Sequence, residues 1–403
     1  MAGIFQQARR AQRALPRHGD LLGFCVLHVV HDGFVAGFYP LLPLLATDLG
    51  LSYGEAGLLK LCLSAAGGLL QLPAGLLVER LGERLVVGGA VLWLAATYGL
   101  LALALTLPQL ALSAALAGVG SGPQHVGPAA FVSRTYDARG RGLALGLWNF
   151  SGDFGKGLLP IVGGIVAAFG GWRLAIAVLA AGGLLVALSV LWRWRAAIAE
   201  VARRAPVARP AAGGWGVRAP LPFALTVVVG ILDTAVRDGA LLLLPFLLAG
   251  LGFAPPAVGA LFALLFAFGA CGKFVCGPLS DRFGPVAVIV TTEVGTALLL
   301  LALLGAPALW IVPLLALFGV TMSGTSSALF DLVARHVEAG RRARGYGLYY
   351  SFTQATTAIA PFAIGLLADG VGLPPALALL AAGALATLPL AGLARAGGRG
   401  VVT

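Results

Sequence analysis

From residue 20 to residue 394 the chain is a succession of apolar runs, each roughly 20 residues long, separated by short polar connections. That pattern constrains the fold more than any other feature. A run of this length matches a hydrocarbon layer ~30 Å thick, and inside such a layer a helix bonds every backbone N–H and C=O within its own segment. The residues are 59% hydrophobic and 11% charged, too little charge to cover a soluble protein of 403 residues. Twelve spans are expected, over 20–46, 52–77, 85–106, 108–133, 142–168, 172–194, 220–249, 255–279, 285–305, 307–333, 343–369 and 373–394. The fold class is therefore an all-α integral membrane protein of twelve transmembrane helices in two six-helix bundles.

Charge placement orients the spans. The connections 47–51, 107, 169–171, 250–254, 306 and 370–372 hold no Lys or Arg, whereas those on the other side hold Arg80, Arg84, Arg134, Arg282 and Arg335. By the positive-inside rule both termini and the linker are expected in the cytoplasm, in a bacterial inner membrane. The division of the chain follows: a cytoplasmic N-terminal segment 1–19, one bundle over 20–194, a cytoplasmic linker 195–219 rich in Pro, Gly and Arg, a second bundle over 220–394 and a tail 395–403. The net charge of +11 does not point to nucleic acid, because the arginines lie between spans rather than on one soluble face. Arg9, Arg10, Arg13 and Arg17 precede an apolar run that no small-residue cleavage site follows, so a signal peptide is not expected. The four cysteines fall inside apolar runs and read as packing residues. No nucleotide loop, metalloprotease helix or nucleophile elbow is found, so neither an enzyme nor a cofactor is expected.

The halves echo one another. "GLLVERLGER" at 75–84 returns as "GPLSDRFGPV" at 277–286, 202 residues later; Asp32 is matched by Asp233 and Pro160 by Pro361, each 201 residues on. Parallel repeats of this kind belong to one transporter architecture. The chain resembles the major facilitator superfamily, whose signature after the second and eighth helices is G-x-L-x-D-R-x-G-R-K. The first copy carries Gly75, Leu77, Arg80, Gly82 and Arg84, with Glu79 for the Asp; the second carries Gly277, Leu279, Asp281, Arg282 and Gly284 but lacks the closing basic pair. The resemblance implies alternating access, with Glu79, Arg80, Arg84, Asp281 and Arg282 as gating residues. Asp331 and Arg335, four apart at the cytoplasmic end of the tenth span, read as a gate-side pair. The alternative is that these charges only set topology.

"LHVVHDGFVAGFYPLLPLL", "AGVGSGPQHVGPAAFVSR" and "GLALGLWNFSGDFGKGLLP" are similar to the first, fourth and fifth helices of the fosmidomycin-resistance-type drug exporters. The departures, Val126 and Gly127 for a Pro-Glu and Asp153 and Lys156 for an Asn and a small residue, fall where substrate would touch.

Charges inside the spans carry the functional reading. Ionisable residues at membrane depth are costly and face water-filled cavities. His28, His31 and Asp32 are spaced i, i+3, i+4 along one side of a helix, and they are the expected proton-coupling group. Counting ~1.5 Å per residue puts His125, Asp153, Lys156 and Asp233 near the same depth. With Trp148, Arg237, Tyr349 and Tyr350 they form the expected substrate site, in which Asp32 carries the exchangeable proton and Asp233 is a fixed charge. Plainer readings stand beside these: Asp153 with Lys156, and Asp233 with Arg237, as private pairs; Lys60 snorkelling to the surface; Glu293 pairing locally on an outer helix. The expected function is proton-coupled export, by antiport, of a small organic substrate, anionic or drug-like, by a monomer in the lipid bilayer. Antiport enters here through the resemblance. The alternatives are proton-coupled uptake of an organic anion, and export of nickel, cobalt or zinc on His28, His31, Asp32 and His125.

Overall fold

The structure, a computed structural model, describes residues 2–136, 138–201, 217–338 and 342–396; most of the linker and the tail 397–403 lie outside the described residues. Thirteen helical segments follow one another: α1 (Ala2–Leu49), α2 (Tyr53–Leu69), α3 (Gln71–Leu81), α4 (Glu83–Leu101), α5 (Leu107–Val119), α6 (Pro123–Thr135), α7 (Ala138–Val201), α8 (Pro220–Gly250), α9 (Pro255–Phe283), α10 (Pro285–Gly305), α11 (Ala308–His336), α12 (Arg342–Val371) and α13 (Leu373–Ala396). They make twelve spans. The second is α2 and α3 together and the fourth is α5 and α6 together, while α7 holds the fifth and sixth.

Local chemistry explains the departures in α7 and in the fourth span. Within α7 the backbone is non-helical at Gly170 and Gly171, the latter at φ 69°, a conformation that glycine adopts without a Cβ penalty; the turn lies inside the expected 169–171 connection. The fourth span breaks before Pro123, which has no N–H to continue a ladder and suits a helix's first turn. Gly118 and Gly120 face the carbonyls of Leu63 and Ala90 so closely that a Cβ at either position would overlap them. Tight packing of the second, third and fourth spans thus takes the place of continuous helix. The third span ends at Leu101, short of the expected 106.

Helices α1–α7 pack on one another, as do α8–α13. The two bundles meet along α2 with α12 and along α7 with α9, and α1 touches α8 and α9. The closest approach is at the end remote from the termini. There Gly57 faces the Pro361 carbonyl and Gly365 that of Tyr53, while Gly259 faces Pro160 and Gly164 faces Pro255. These two seams are related by the same 201–202-residue offset as the sequence repeat. The first carries a further bond: Asp369, at the end of α12, accepts from the N–H of Tyr53 at 2.8 Å and of Gly54 at 2.9 Å, the first donors of α2. Toward the other end, α3 and α6 form no extensive packing with the second bundle among the described residues. The bundles therefore converge at the remote end and part toward the terminal end.

Candidate functional site

Between the bundles, at mid-span, lies a cavity of about 340 Å³. Glycine puts its first wall in place. Gly152 on α7 sits where a Cβ would stand 2.6 Å from His28 Cε1 and 2.7 Å from Asp32 Oδ2, and Gly155 lies against the Val29 carbonyl. α7 is drawn so close to α1 that Lys156 Nζ reaches Asp32 Oδ2 at 2.9 Å. Lys156 also meets Asp153 at 3.1 Å, and Asp153 takes Lys273 Nζ, from α9 in the other bundle, at 3.0 and 3.1 Å. Alternating charges thus run Asp32, Lys156, Asp153, Lys273 across the interface.

Asp32 has two imidazoles on its other oxygen. His31 Nδ1 is 2.8 Å and His28 Nε2 3.3 Å from Oδ1. His28 Nδ1 lies 2.8 Å from the Trp148 carbonyl, which only accepts, so that nitrogen donates. His28 Nε2 then meets the carboxyl favourably only through a proton, held by one group or the other. The ring stacks on Trp148 with centroids 4.3 Å apart and planes at 13°, which locks its orientation.

The opposite wall carries Arg237 and Asp238 of α8, joined at 3.4 Å, with Arg237 also 3.8 Å from Asp233. Lys60 of α2 completes it. Lys60 is 3% exposed, and its Nζ lies 5.0 Å from the centroid of the Tyr39 ring. It lines the cavity, and no carboxylate among the described residues stands within ion-pair distance of it.

Not every expected residue is in the cavity wall. His31, Asp32, Asp153, Lys156 and Arg237 are. Trp148 stands behind His28; Asp233 is buried behind Arg237; Tyr349 is buried against Gly230; and Tyr350, 46% exposed, lies outside the wall. The side chains of His125 and Glu79 lie outside the described residues. Lys60 does not snorkel: the cavity supplies the polar surroundings that would otherwise draw it to the membrane surface. Glu293 of α10 is 1% exposed and so faces the bundle interior rather than an outer surface. The motif residues pair within their own halves. Arg84 meets Asp20 at 2.6 Å, and Glu83 meets Arg134 at 2.7 Å. Arg335 meets Asp331 at 2.9 Å, and Asp331 also accepts from Ser280. Arg80, Asp281 and Arg282 are exposed, Arg282 over the ring of Phe283. Among the described residues no three His, Cys, Asp or Glu side chains converge as metal ligands.

A cavity at mid-span between two bundles related by a parallel repeat is the architecture of one transporter class. The sequence profile described as Major Facilitator Superfamily matches residues 24–232 and 224–397. The chain belongs to the major facilitator superfamily. As a member it is a multi-pass membrane protein and secondary transporter with a small-molecule cargo, and not an enzyme. It is 27% identical to the fosmidomycin resistance protein of Escherichia coli (strain K12) over 380 residues, 90% of this chain and 89% of that one. It is 29% identical to the 3-(3-hydroxy-phenyl)propionate transporter of the same strain, over 80% of this chain and 79% of that protein. The crystal structure of a bacterial homolog to the human lysosomal transporter Spinster, inward-facing and occupied, superposes with a TM-score of 0.73 over 94% of this chain and 96% of that one, at 16% identity, a likeness of fold.

Proposed function

We propose that this superfamily member is a proton-coupled transporter of a small organic anion. The observation that carries the proposal is Lys60, a buried cation turned to the cavity that makes no ion pair among the described residues, with Asp238 and Asp32 acting on it only from beyond ion-pair distance. A desolvated charge of that kind is costly until an opposite charge arrives, so it selects anions. Of the ionisable groups in the wall, Lys60, Lys156, Arg237 and Lys273 stand against Asp32, Asp153 and Asp238. The relative that moves a propionate supports the same substrate class.

Coupling follows from competition for Lys156. An anion that draws this ammonium from Asp32 leaves the carboxyl with His28 and His31, where a proton replaces the lost cation. Anion and proton then favour one another's binding, which is the thermodynamic signature of co-transport. The arginine distribution supports a bacterial inner membrane with both termini cytoplasmic; the remote end is then periplasmic and the structure faces inward. The protein works as a monomer, and an inward proton gradient drives uptake. Export by proton exchange is the second reading, and the likeness to the fosmidomycin resistance protein favours it.

Two measurements test this. In a thermal-shift panel of carboxylates, phosphonates and neutral drug-like molecules, anions should stabilise the wild type and lose that effect in K60M. Neutral compounds stabilising both proteins alike, with no anion active, would overturn the anion reading. In proteoliposomes, a stabilising anion should accumulate when the lumen is alkaline. Accumulation with an acidic lumen establishes exchange instead, and indifference to the gradient removes proton coupling.

A further inference from the structure

The stretch "WRWR" at 192–195, near the end of α7, takes no part in the cavity or the seams. Residues two apart on a helix lie about 200° apart around its axis, so its two tryptophans face opposite ways. Trp194 points inward. It is 2% exposed, its ring centroid is 4.8 Å from that of Phe24, and Gly23 of α1 and Gly88 of α4 leave room for the indole. That insertion fixes the rotation of α7 and turns Trp192 outward, where it is 70% exposed.

Trp192 ends an apolar stripe. Leu174, Val178, Leu185 and Leu188 are exposed on the same side of the helix at helical spacing. From Leu174 to Trp192 the helix rises about 27 Å, close to the thickness of a hydrocarbon layer of ~30 Å. The indole therefore stands at the edge of that layer, and Arg195, one turn further, at headgroup depth. This is the rim on the side of the termini, because Arg193 lies against Gly19 at the start of the first span.

Two guanidinium groups flank the ring. Arg195 Cζ lies 4.4 Å from the centroid of the indole, and the same group donates one N–H to the Trp192 carbonyl at 2.8 Å. Its other donors stay available. Arg193 is exposed beside it. Other arginines of this rim are committed to carboxylates: Arg84 to Asp20, Arg134 to Glu83 and Arg335 to Asp331. Arg193 and Arg195 form no ion pair among the described residues.

We propose that Trp192, Arg193 and Arg195 form a docking site for an anionic phospholipid. Its acyl chains lie along the stripe from Leu174 to Trp192, and its phosphate meets the two guanidinium groups, whose planar forks match phosphate oxygens. Charge complementarity selects the occupant. A zwitterionic lipid brings an ammonium that opposes the arginines, and a soluble anion has no chains to cover the stripe. The site lies on the outer face of the first bundle, so it does not depend on what the cavity carries.

Tryptophan fluorescence of the full-length protein in phosphatidylcholine vesicles tests the site. The vesicles carry equal fractions of either phosphatidylglycerol or phosphatidylcholine with a nitroxide on the acyl chain near the headgroup, which quenches a neighbouring indole. Labelled phosphatidylglycerol should quench more strongly at low salt, with a preference of about fivefold for each arginine, and the difference should shrink at high salt. W192F should remove the extra quenching, because the reporter is gone. R193Q/R195Q keeps the indole and should lose the preference. R195Q alone, which leaves the contact with Gly19 untouched, should lose part of it and gives the answer if the double variant does not fold. Equal quenching by the two lipids in the wild type, or an undiminished preference in the arginine variants, would overturn the site.

Discussion

Asn in place of Asp369 should open the remote end of the molecule. The carboxylate accepts from Tyr53 N–H through Oδ1 and from Gly54 N–H through Oδ2, both at the start of α2. Asn keeps one acceptor and turns an N–H toward the other donor, so one bond to a charged acceptor is lost. Such bonds contribute ~1.5–3 kcal/mol, and charge at a helix N-terminus adds ~0.3–1 kcal/mol at an exposed site. Asp369 is exposed, so the lower ends apply and the sum is just under ~2 kcal/mol. With the seam apart, water solvates carboxylate and amide alike, and the whole loss falls on the closed state. The closed-to-open ratio should fall about ten- to thirtyfold, since ~1.4 kcal/mol is tenfold. Nitroxides at Thr47 and Ala249, exposed at the remote ends of the two bundles, read the ratio directly once the four native cysteines are replaced. The D369N sample should show a longer distance population that wild type lacks or holds weakly. Identical distributions would refute the reasoning, because the bond would then contribute nothing to closure.

Other substitutions have equally definite outcomes. Gly57→Val puts a methyl-bearing carbon 2.5 Å from the Pro361 carbonyl, so transport should stop and the same spin-label pair should report a remote end held open; a normal closed distance would count against the seam. Gly152→Val drives into His28 and Asp32, and is expected to abolish proton-driven flux while the protein still inserts and melts cooperatively. Asp153→Ala leaves Lys156 and Lys273 facing each other without their shared carboxylate, at a cost of roughly 1–2 kcal/mol after screening of the partly exposed Lys273, and adding Lys273→Met should recover part of the lost thermal stability. A double mutant no more stable than D153A would show that the two lysines do not compete for this carboxylate.

Much of this site is legible in the sequence because helices give away depth. Spacing alone puts His28, His31 and Asp32 on one face, and counting rises brings Asp153 and Lys156 to their level. What spacing does not encode is how neighbouring helices are rotated about their own axes. Lys60 reads as a snorkelling side chain until α2 is turned toward the cavity, and Glu293 reads as peripheral until α10 is turned to bury it. The residues that settle those rotations are small ones, such as Gly118 and Gly152, whose effect comes from the side chain they lack. Asp369 was equally silent: a carboxylate at the end of a span looks like an ordinary polar boundary, and its partners are backbone amides 316 and 315 residues away. The breaks in the second and fourth spans were hidden for a related reason, since continuous hydropathy says nothing of where a ladder is interrupted.

The seams of glycine against carbonyl set the order and the speed of movement. Where glycine meets carbonyl there are no side chains to unthread, and parting those contacts gives up Cα–H···O bonds of ~1 kcal/mol or less; the ring pairs Tyr39–Phe262 and Tyr53–Phe246 cross between the bundles beside them. Such a joint opens with a low barrier, so turnover passes to the slower rearrangement of the cavity's ion pairs and should track ionic and proton conditions more than membrane fluidity. The joint is also lopsided. One seam has Asp369 fastened to the start of α2, and the other has Ala168 at the equivalent position. The protein should therefore peel rather than rock symmetrically, parting first between α7 and α9 and swinging about the α2–α12 edge.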